Sequence, residues 1–251
     1  MKRTAALAFV LLPAVFAWAG TAETRKTTVV VRVAANDGKL LDDNVGGARV
    51  RISDARSGKL LAEGLQQGNS GDTQKIMTQP HVRGAALFDT PGAAAFRTEL
   101  ALERPTLVRI SATGPLKYPG SARTAEKLLL VVPGSDAAGD GIVLQVDGLI
   151  VAIEETHVAA GKMDLRAHVA MMCGCPITPG GVWDAGTFTI VAEVWRGKEK
   201  VKSQAMNYGG IASTFHVSFD GLTRGKYTVR VVAASANGVN AGQDARGLHV
   251  D

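Results

Sequence analysis

One cluster of residues with metal-ligating and redox chemistry stands out in the second half of the sequence. It contains a histidine, two methionines and both cysteines of the protein: His168, Met171, Met172, Cys173 and Cys175. Thiolate, thioether and imidazole groups are the ligands that soft metals prefer, Cu(I) above all. Our leading hypothesis is therefore copper handling, in which thiolates hold Cu(I) and release it by ligand exchange, with His216 as a further candidate ligand.

Two other interpretations of the cysteine pair remain open. Two cysteines in an exported protein by default form a disulfide, but alternate residues of an extended strand lie about 6.6 Å apart at Cα. A bond needs Cβ atoms about 3.5 to 4.5 Å apart, so the strand must end in a kink, which Gly174 permits and Pro176 favours. The second interpretation is this local disulfide. The third is thiol–disulfide exchange, because a strained, exposed pair would be oxidising.

Strand parity limits the copper hypothesis. If residues 163–173 form one strand, Met171 and Cys173 face the core, whereas His168 and Met172 face outward. His216 takes an outward position in residues 214–219, and pairing of these two strands would make the two histidines cross-strand neighbours. An ideal strand does not bring the thiols and the outward set together, so a metal site would use one set or the other.

The N-terminus has the pattern of a signal peptide. Lys2 and Arg3 precede an apolar run over residues 5–15, and Ala17-Trp18-Ala19 supplies the small-x-small cleavage pattern. The apolar run is shorter than the roughly 20 residues that span a bilayer. We expect a signal peptide over residues 1–19, a periplasmic or secreted protein, and no stable membrane insertion after cleavage.

Composition and charge bound the function class. The chain has 251 residues, of which 46% are hydrophobic and 20% charged, as in globular proteins. Removal of Lys2 and Arg3 lowers the basic count from 28 to 26 against 23 acidic residues, a net charge of +3. Because these basic residues are scattered, we expect no nucleic-acid partner.

Alternating, β-branched segments separated by turn residues dominate the chain and predict an all-β protein. We expect two consecutive antiparallel β-sandwich domains, over residues 24–134 and 143–251, with a linker at 135–142 where small and turn-forming residues interrupt the pattern. The predicted strands cover residues 27–35, 48–53, 106–112, 127–132, 148–155, 163–173, 187–195, 214–219 and 226–233. Only residues 72–77 and 93–102 offer a short helix, and the second could also be an alternating strand.

The two halves resemble two familiar modules. Residues 47–64, a strand, a glycine-containing turn and a return strand, look like a hairpin of transthyretin-like or carboxypeptidase-regulatory-like domains. Residues 219–233 are similar to the corner and following strand of immunoglobulin-like sandwiches, which implies that the Tyr227 hydroxyl bonds back to the preceding turn. No whole-chain family is evident. These folds serve many binding roles, so the resemblance implies a scaffold and no reaction.

No motif for catalysis accompanies these modules. The sequence has no Gly-x-Ser-x-Gly nucleophile elbow, and the adjacent acids Asp42-Asp43 and Glu154-Glu155 would point to opposite faces of a strand. We therefore expect a binding protein and not an enzyme, with an unidentified protein partner and copper as the one candidate cofactor. The alternative to copper handling is an adhesion, assembly or structural module that binds a protein or glycan and uses the cysteine pair as a clip.

Overall fold

The computed structural model describes residues 24–251, so the predicted signal peptide at residues 1–19 lies outside the described residues. Strands account for nearly all of the regular structure in this part of the chain, which confirms the all-β prediction. The strands are β1 (Arg25–Ala35), β2 (Ala48–Asp54), β3 (Leu60–Gln66), β4 (Phe96–Leu102), β5 (Thr106–Gly114), β6 (Arg123–Val131), β7 (Ala137–Val146), β8 (Leu149–Ala159), β9 (Lys162–Met171), β10 (Ile177–Thr178), β11 (Trp183–Asp184), β12 (Phe188–Arg196), β13 (Glu199–Ala205), β14 (Asn207–Tyr208), β15 (Thr214–Phe219), β16 (Gly225–Ser235) and β17 (Ala241–Val250).

Helical structure within residues 24–251 is limited to single turns. Two 3₁₀ turns cover Asp43–Val45 and Ala185–Thr187, and a π-helical turn covers Gln74–Thr78, which overlaps the candidate helical segment at residues 72–77. The other segment, residues 93–102, contains β4 instead. Buried Phe96, Leu100 and Leu102 alternate with exposed residues there, so the period-two pattern outweighs the helix-favouring alanines that precede it.

The first domain is a sandwich of two sheets with strand orders β4-β1-β7 and β3-β2-β5-β6. The hairpin over residues 47–64 is confirmed, since β2 and β3 pair antiparallel from Ala48↔Gln66 onward. Valines 29, 31 and 33 of β1 and Val50 and Ile52 of β2 face each other between the sheets and are fully buried. Period-two alternation thus builds this core, as expected for two packed sheets.

The boundary between the domains differs from the predicted linker at residues 135–142. This segment overlaps β7, which pairs in parallel with β1 as far as Ala35↔Val146, so the first sandwich extends to Val146. Glycines made the segment resemble a turn, but one of them serves packing. A Cβ atom at Gly141, whose φ is +66°, would overlap the carbonyl oxygen of Val30. The strand therefore needs a glycine where it lies closest to β1.

A buried arginine ties the long connection between β3 and β4 to the first domain. Arg32 of β1 is fully buried, and its Nη2 lies 2.6 Å from a carboxylate oxygen of Asp89. Its Nη1 donates to the carbonyl oxygen of Ala94 over 3.0 Å. The Asp140 carboxylate of β7 accepts backbone N–H bonds from Phe88 and Asp89, both at 2.7 Å. The charged groups thus add to the backbone hydrogen bonds between residues 67–69 and 92–95 in holding this connection.

The second domain is a sandwich of the sheets β14-β15-β9-β8 and β13-β12-β16-β17. The predicted pairing of residues 163–173 with 214–219 is confirmed, because β9 and β15 pair antiparallel from Phe219↔Met163 to Thr214↔His168. The tyrosine corner is also present. The Tyr227 hydroxyl lies 2.9 Å from the carbonyl oxygen of Thr223, to which it donates, and 3.1 Å from the Thr223 hydroxyl.

Candidate functional site

The cysteine pair ends β9 at the junction of the two domains. After Met171 the chain turns, with the Gly174 N–H donating to the Met171 carbonyl oxygen over 2.8 Å and Gly174 at φ +73°. The turn brings the Cα atoms of Cys173 and Cys175 to 5.3 Å, and the two residues form a disulfide. A glycine is needed here for packing as well as for its φ, since a Cβ would lie 2.6 Å from a methyl group of Val45 in the first domain.

The neighbouring methionines are part of the core. Met171 and Met172 are both fully buried, as is Ala170. The parity argument predicted an outward Met172, and this prediction is wrong. β9 ends at Met171, so strand alternation does not extend to Met172, which lies in the following turn and belongs to the core cluster shared by the two domains.

The two histidines lie on one face of the sheet but are not opposite each other. His168 pairs with Thr214, and His216 pairs with Arg166, so the predicted cross-strand neighbours are offset by two residues. His168 instead stacks on Tyr118 of the first domain, with ring centroids 6.3 Å apart and ring planes inclined by 11°. Burial lowers the pKa of His168, and the charge of Glu154 only partly opposes this shift. The neutral imidazole is therefore favoured.

These positions do not converge on a metal site. In the described part of the chain, no three histidine, cysteine or acidic residues lie close enough to hold a metal ion together. Both candidate thiolates are bonded to each other, the thioethers of Met171 and Met172 lie in the core, and His216 is exposed on a different part of the sheet. The arrangement does not support copper binding by this set.

Hydrogen bonds and apolar contacts cross the junction. The Trp183 indole N–H donates to the Asp37 carbonyl oxygen over 2.7 Å, and the Asn240 side-chain amide donates to the Asn36 carbonyl oxygen over 3.1 Å. The Ser121 hydroxyl of the first domain accepts the Val151 N–H over 3.1 Å. Because the core also continues between the two sandwiches, the domains are joined along a packed and hydrogen-bonded surface.

An open cleft of about 340 Å³ lies beside the disulfide. We call it the junction cleft. Its lining residues come from both domains: Lys39, Asp42, Asn44, Ser70, Thr73, Cys173, Gly174, Cys175, Pro176 and Trp183. The first domain thus supplies a polar wall, and the second supplies the disulfide, a proline and an indole. Clefts of about 300 to 1,000 Å³ at domain boundaries are common places for small-molecule binding.

The polar wall is organised by Asp42 and Lys39. The Asp42 carboxylate is 7% exposed and accepts the N–H of Asn44 over 3.0 Å and its side-chain amide over 3.0 Å. It also accepts the Val45 N–H, so it caps the following 3₁₀ turn. The Lys39 ammonium donates to the Thr73 hydroxyl over 3.0 Å. Two separate loops of the first domain are therefore held in place around the opening.

Sequence reasoning missed the polar half of this cleft. It placed Asp42 and Asp43 on opposite faces of a strand and found no convergent role for Asp42, which the structure places as the cap of a 3₁₀ turn. The partners in the cleft come from sequence positions more than 100 residues apart, such as Lys39 and Cys175. The one local signal was Asp42-x-Asn44, which is typical of a capped turn and does not indicate what faces that turn.

Comparison with known proteins adds no family. No protein-family model and no curated protein matches the sequence. Among solved structures, a DUF3823 family protein from Bacteroides ovatus matches at 8% identity and a TM-score of 0.33, covering 90% of this chain and 100% of that one. The chicken interferon gamma receptor alpha chain matches at 9% identity and a TM-score of 0.29, covering 81% and 84%.

An engineered protein matches at 18% identity and a TM-score of 0.31, covering 45% of this chain and 22% of the engineered protein. The chain thus spans only about a fifth of that protein's length. At these identities and TM-scores the matches identify neither a ligand nor a partner. The functional argument therefore depends on the residues of the junction.

Proposed function

We propose that this protein is an exported binding module, which holds a protein or glycan and catalyses no reaction. The observation that supports this most is the packed junction. The cysteine pair closes a turn there between two sandwiches that share one core, so the molecule presents its surfaces as a single body. In such a module the disulfide is a structural clip, and export supplies the oxidising compartment that preserves it.

The burial of the sulfur atoms also bears on the two rival functions. Cys173 is 2% exposed and Cys175 is 5% exposed. Thiol–disulfide exchange requires a thiolate of another molecule to reach a sulfur atom of the pair. Copper binding through thiolates requires that the disulfide first be reduced and that both sulfur atoms then reach the metal. A bonded and covered pair suits neither task. It suits a turn that must remain closed while the surrounding surface binds.

A Cu(I) competition experiment separates these functions. We would count free thiols in the untreated mature protein and titrate it with Cu(I) against a chelator, beside the double variant Cys173→Ser, Cys175→Ser. We expect no free thiols and the same weak copper affinity in both proteins. Two free thiols, with one equivalent of Cu(I) bound tightly by the wild type and lost in the variant, would overturn the proposed function.

A further inference from the structure

The second domain lines the junction cleft with apolar groups that the fold holds in fixed positions. The Trp183 indole is oriented by its 2.7 Å hydrogen bond to the Asp37 carbonyl oxygen, and the disulfide and Pro176 line the same cleft. Trp183 is 7% exposed, so the part of the ring that lines the cleft is a narrow strip. This strip can make van der Waals contact with C–H groups of a sugar ring without loss of side-chain freedom.

The first domain lines the cleft with hydroxyl and amide groups. Ser70 and Thr73 each carry a hydroxyl that can donate and accept, and the exposed Asn44 carries an amide with both functions. Saccharide hydroxyls have the same dual character and are bound best by groups of this type. A volume of about 340 Å³ accommodates about one or two sugar rings.

Lys39 and Asp42 are the two charged residues that line the cleft, and although their formal charges cancel, they are bonded differently. Lys39 donates to the neutral Thr73 hydroxyl, and none of the ion pairs found in residues 24–251 includes it. The Asp42 carboxylate is occupied by Asn44 and by backbone N–H groups. A half-buried ammonium without a carboxylate partner attracts an anionic ligand, and a charge-assisted bond is stronger than a neutral one.

We propose that the junction cleft binds an acidic saccharide, that is, a sugar ring that carries a carboxylate. Lys39 bonds the carboxylate, Ser70, Thr73 and Asn44 bond ring hydroxyls, and the exposed strip of Trp183 makes van der Waals contact with ring C–H groups. This assignment depends on the proposed function and names the ligand class of one of its surfaces. The occupant is a short saccharide, either soluble or at the end of a chain, because a volume of about 340 Å³ holds about one or two sugar rings.

The test is a calorimetric titration of the full mature protein. The probes are disaccharides of galacturonic acid and of glucuronic acid, the neutral disaccharides of galactose and glucose, and acetate. We expect binding of at least one acidic disaccharide, at least tenfold weaker binding of its neutral counterpart, and no saturable binding of acetate alone. Affinity should fall as salt concentration rises, because the Lys39 contact is ionic.

Three variants locate the binding. Lys39→Met should weaken binding of the acidic disaccharide by about tenfold, the loss of one charge-assisted hydrogen bond, and Ser70→Ala should weaken it by a smaller factor. Lys59→Met, on the exposed turn between β2 and β3, is the matched control and should change nothing. Thermal melting of each variant shows that it folds.

Three results would overturn the assignment: no binding of any acidic disaccharide, equal binding of the neutral ones, or binding that Lys39→Met leaves intact. Such a failure is distinguishable from failure of the proposed function, because the latter is decided by free thiols and Cu(I) affinity. A protein without free thiols, without a copper site and without saccharide affinity would remain a binding module with a different ligand.

Discussion

The two domains hold their parts together in different ways. In the first domain an ion pair between buried Arg32 and partly exposed Asp89 joins residues that are 57 positions apart, and Asp140 accepts backbone N–H bonds from the same connection. In the second domain the defining contacts are local: a disulfide across one residue, and a tyrosine corner across four. The first domain should therefore depend more steeply on single charged groups, whereas each device of the second should contribute less.

The largest effect is expected at Arg32. Arg32→Met removes the cation from a fully buried site and leaves the Ala94 carbonyl oxygen without its partner. Loss of one partner from such a site costs about 3 kcal/mol, less than for a completely buried pair because Asp89 is partly exposed. Chemical denaturation should show this loss. Arg97→Met is the control, since exposed Arg97 lies 3.7 Å from the same carboxylate and should cost below about 1 kcal/mol. Equal losses in both variants would contradict the role of burial.

The disulfide should contribute less. Cys173→Ala together with Cys175→Ala removes a link across a very short loop, which corresponds to about 1.5 kcal/mol in the chain-entropy model. Reduction of the wild type should lower its melting temperature by as much as the double substitution does, and it serves as the matched control. A loss as large as that of Arg32→Met would remove the proposed contrast between the domains.

The tyrosine corner should contribute somewhat less again. Tyr227→Phe deletes a 2.9 Å hydrogen bond to the Thr223 carbonyl oxygen and keeps the buried ring, so we expect a loss of about 1 kcal/mol. Tyr208→Phe provides the comparison, because the Tyr208 hydroxyl has no hydrogen bond among the contacts found in residues 24–251. If both variants unfold at the same denaturant concentration, the corner is not a stabilising device.

The smallest effect concerns pH. Burial lowers the pKa of His168 in the folded protein below its ordinary value of 6.5, so the unfolded chain binds a proton first as the pH falls. The contribution of His168 to the free energy of unfolding should be constant above about pH 6.5 and should decrease as the pH falls below that value. His168→Gln should reduce this decrease, and His216→Gln, on an exposed position, should not. Melting curves across the acidic range provide the measurement, and an unchanged slope in His168→Gln would refute it.

Features that depend on local sequence could be predicted, whereas most contacts between distant positions could not. The nine predicted strand segments, the β2–β3 hairpin, the β9–β15 pairing and the Tyr227 corner follow from alternation and short spacings, which a single sequence displays. β13 and β17 were not predicted. The role of Arg32 could not be predicted, because an arginine within a β-branched strand shows nothing of a partner 57 residues later. β7 was missed for a related reason: its glycines resemble a turn until the proximity of β1 is known.

Only the local part of the candidate site could be predicted from the sequence. The kink at Gly174 and a possible bond between Cys173 and Cys175 were foreseen from covalent geometry. The burial of Met172 in the core shared by the two domains and the polar wall around Lys39 depend on distant residues, and no spacing within 168–176 contains that information. The sequence therefore identified the turn that holds the cysteine pair, but not the residues of the first domain that surround it.

The central claim is that the two domains form one body through the junction beside the disulfide. Residual dipolar couplings measured by NMR for backbone N–H groups of both domains, in the untreated mature protein, test this most directly. We predict that a single alignment tensor fits residues of β1–β7 and of β8–β17 together, with their relative orientation as in the structure. Two tensors of clearly different magnitude would show independently moving domains, and would contradict both the closed junction and the cleft that it forms.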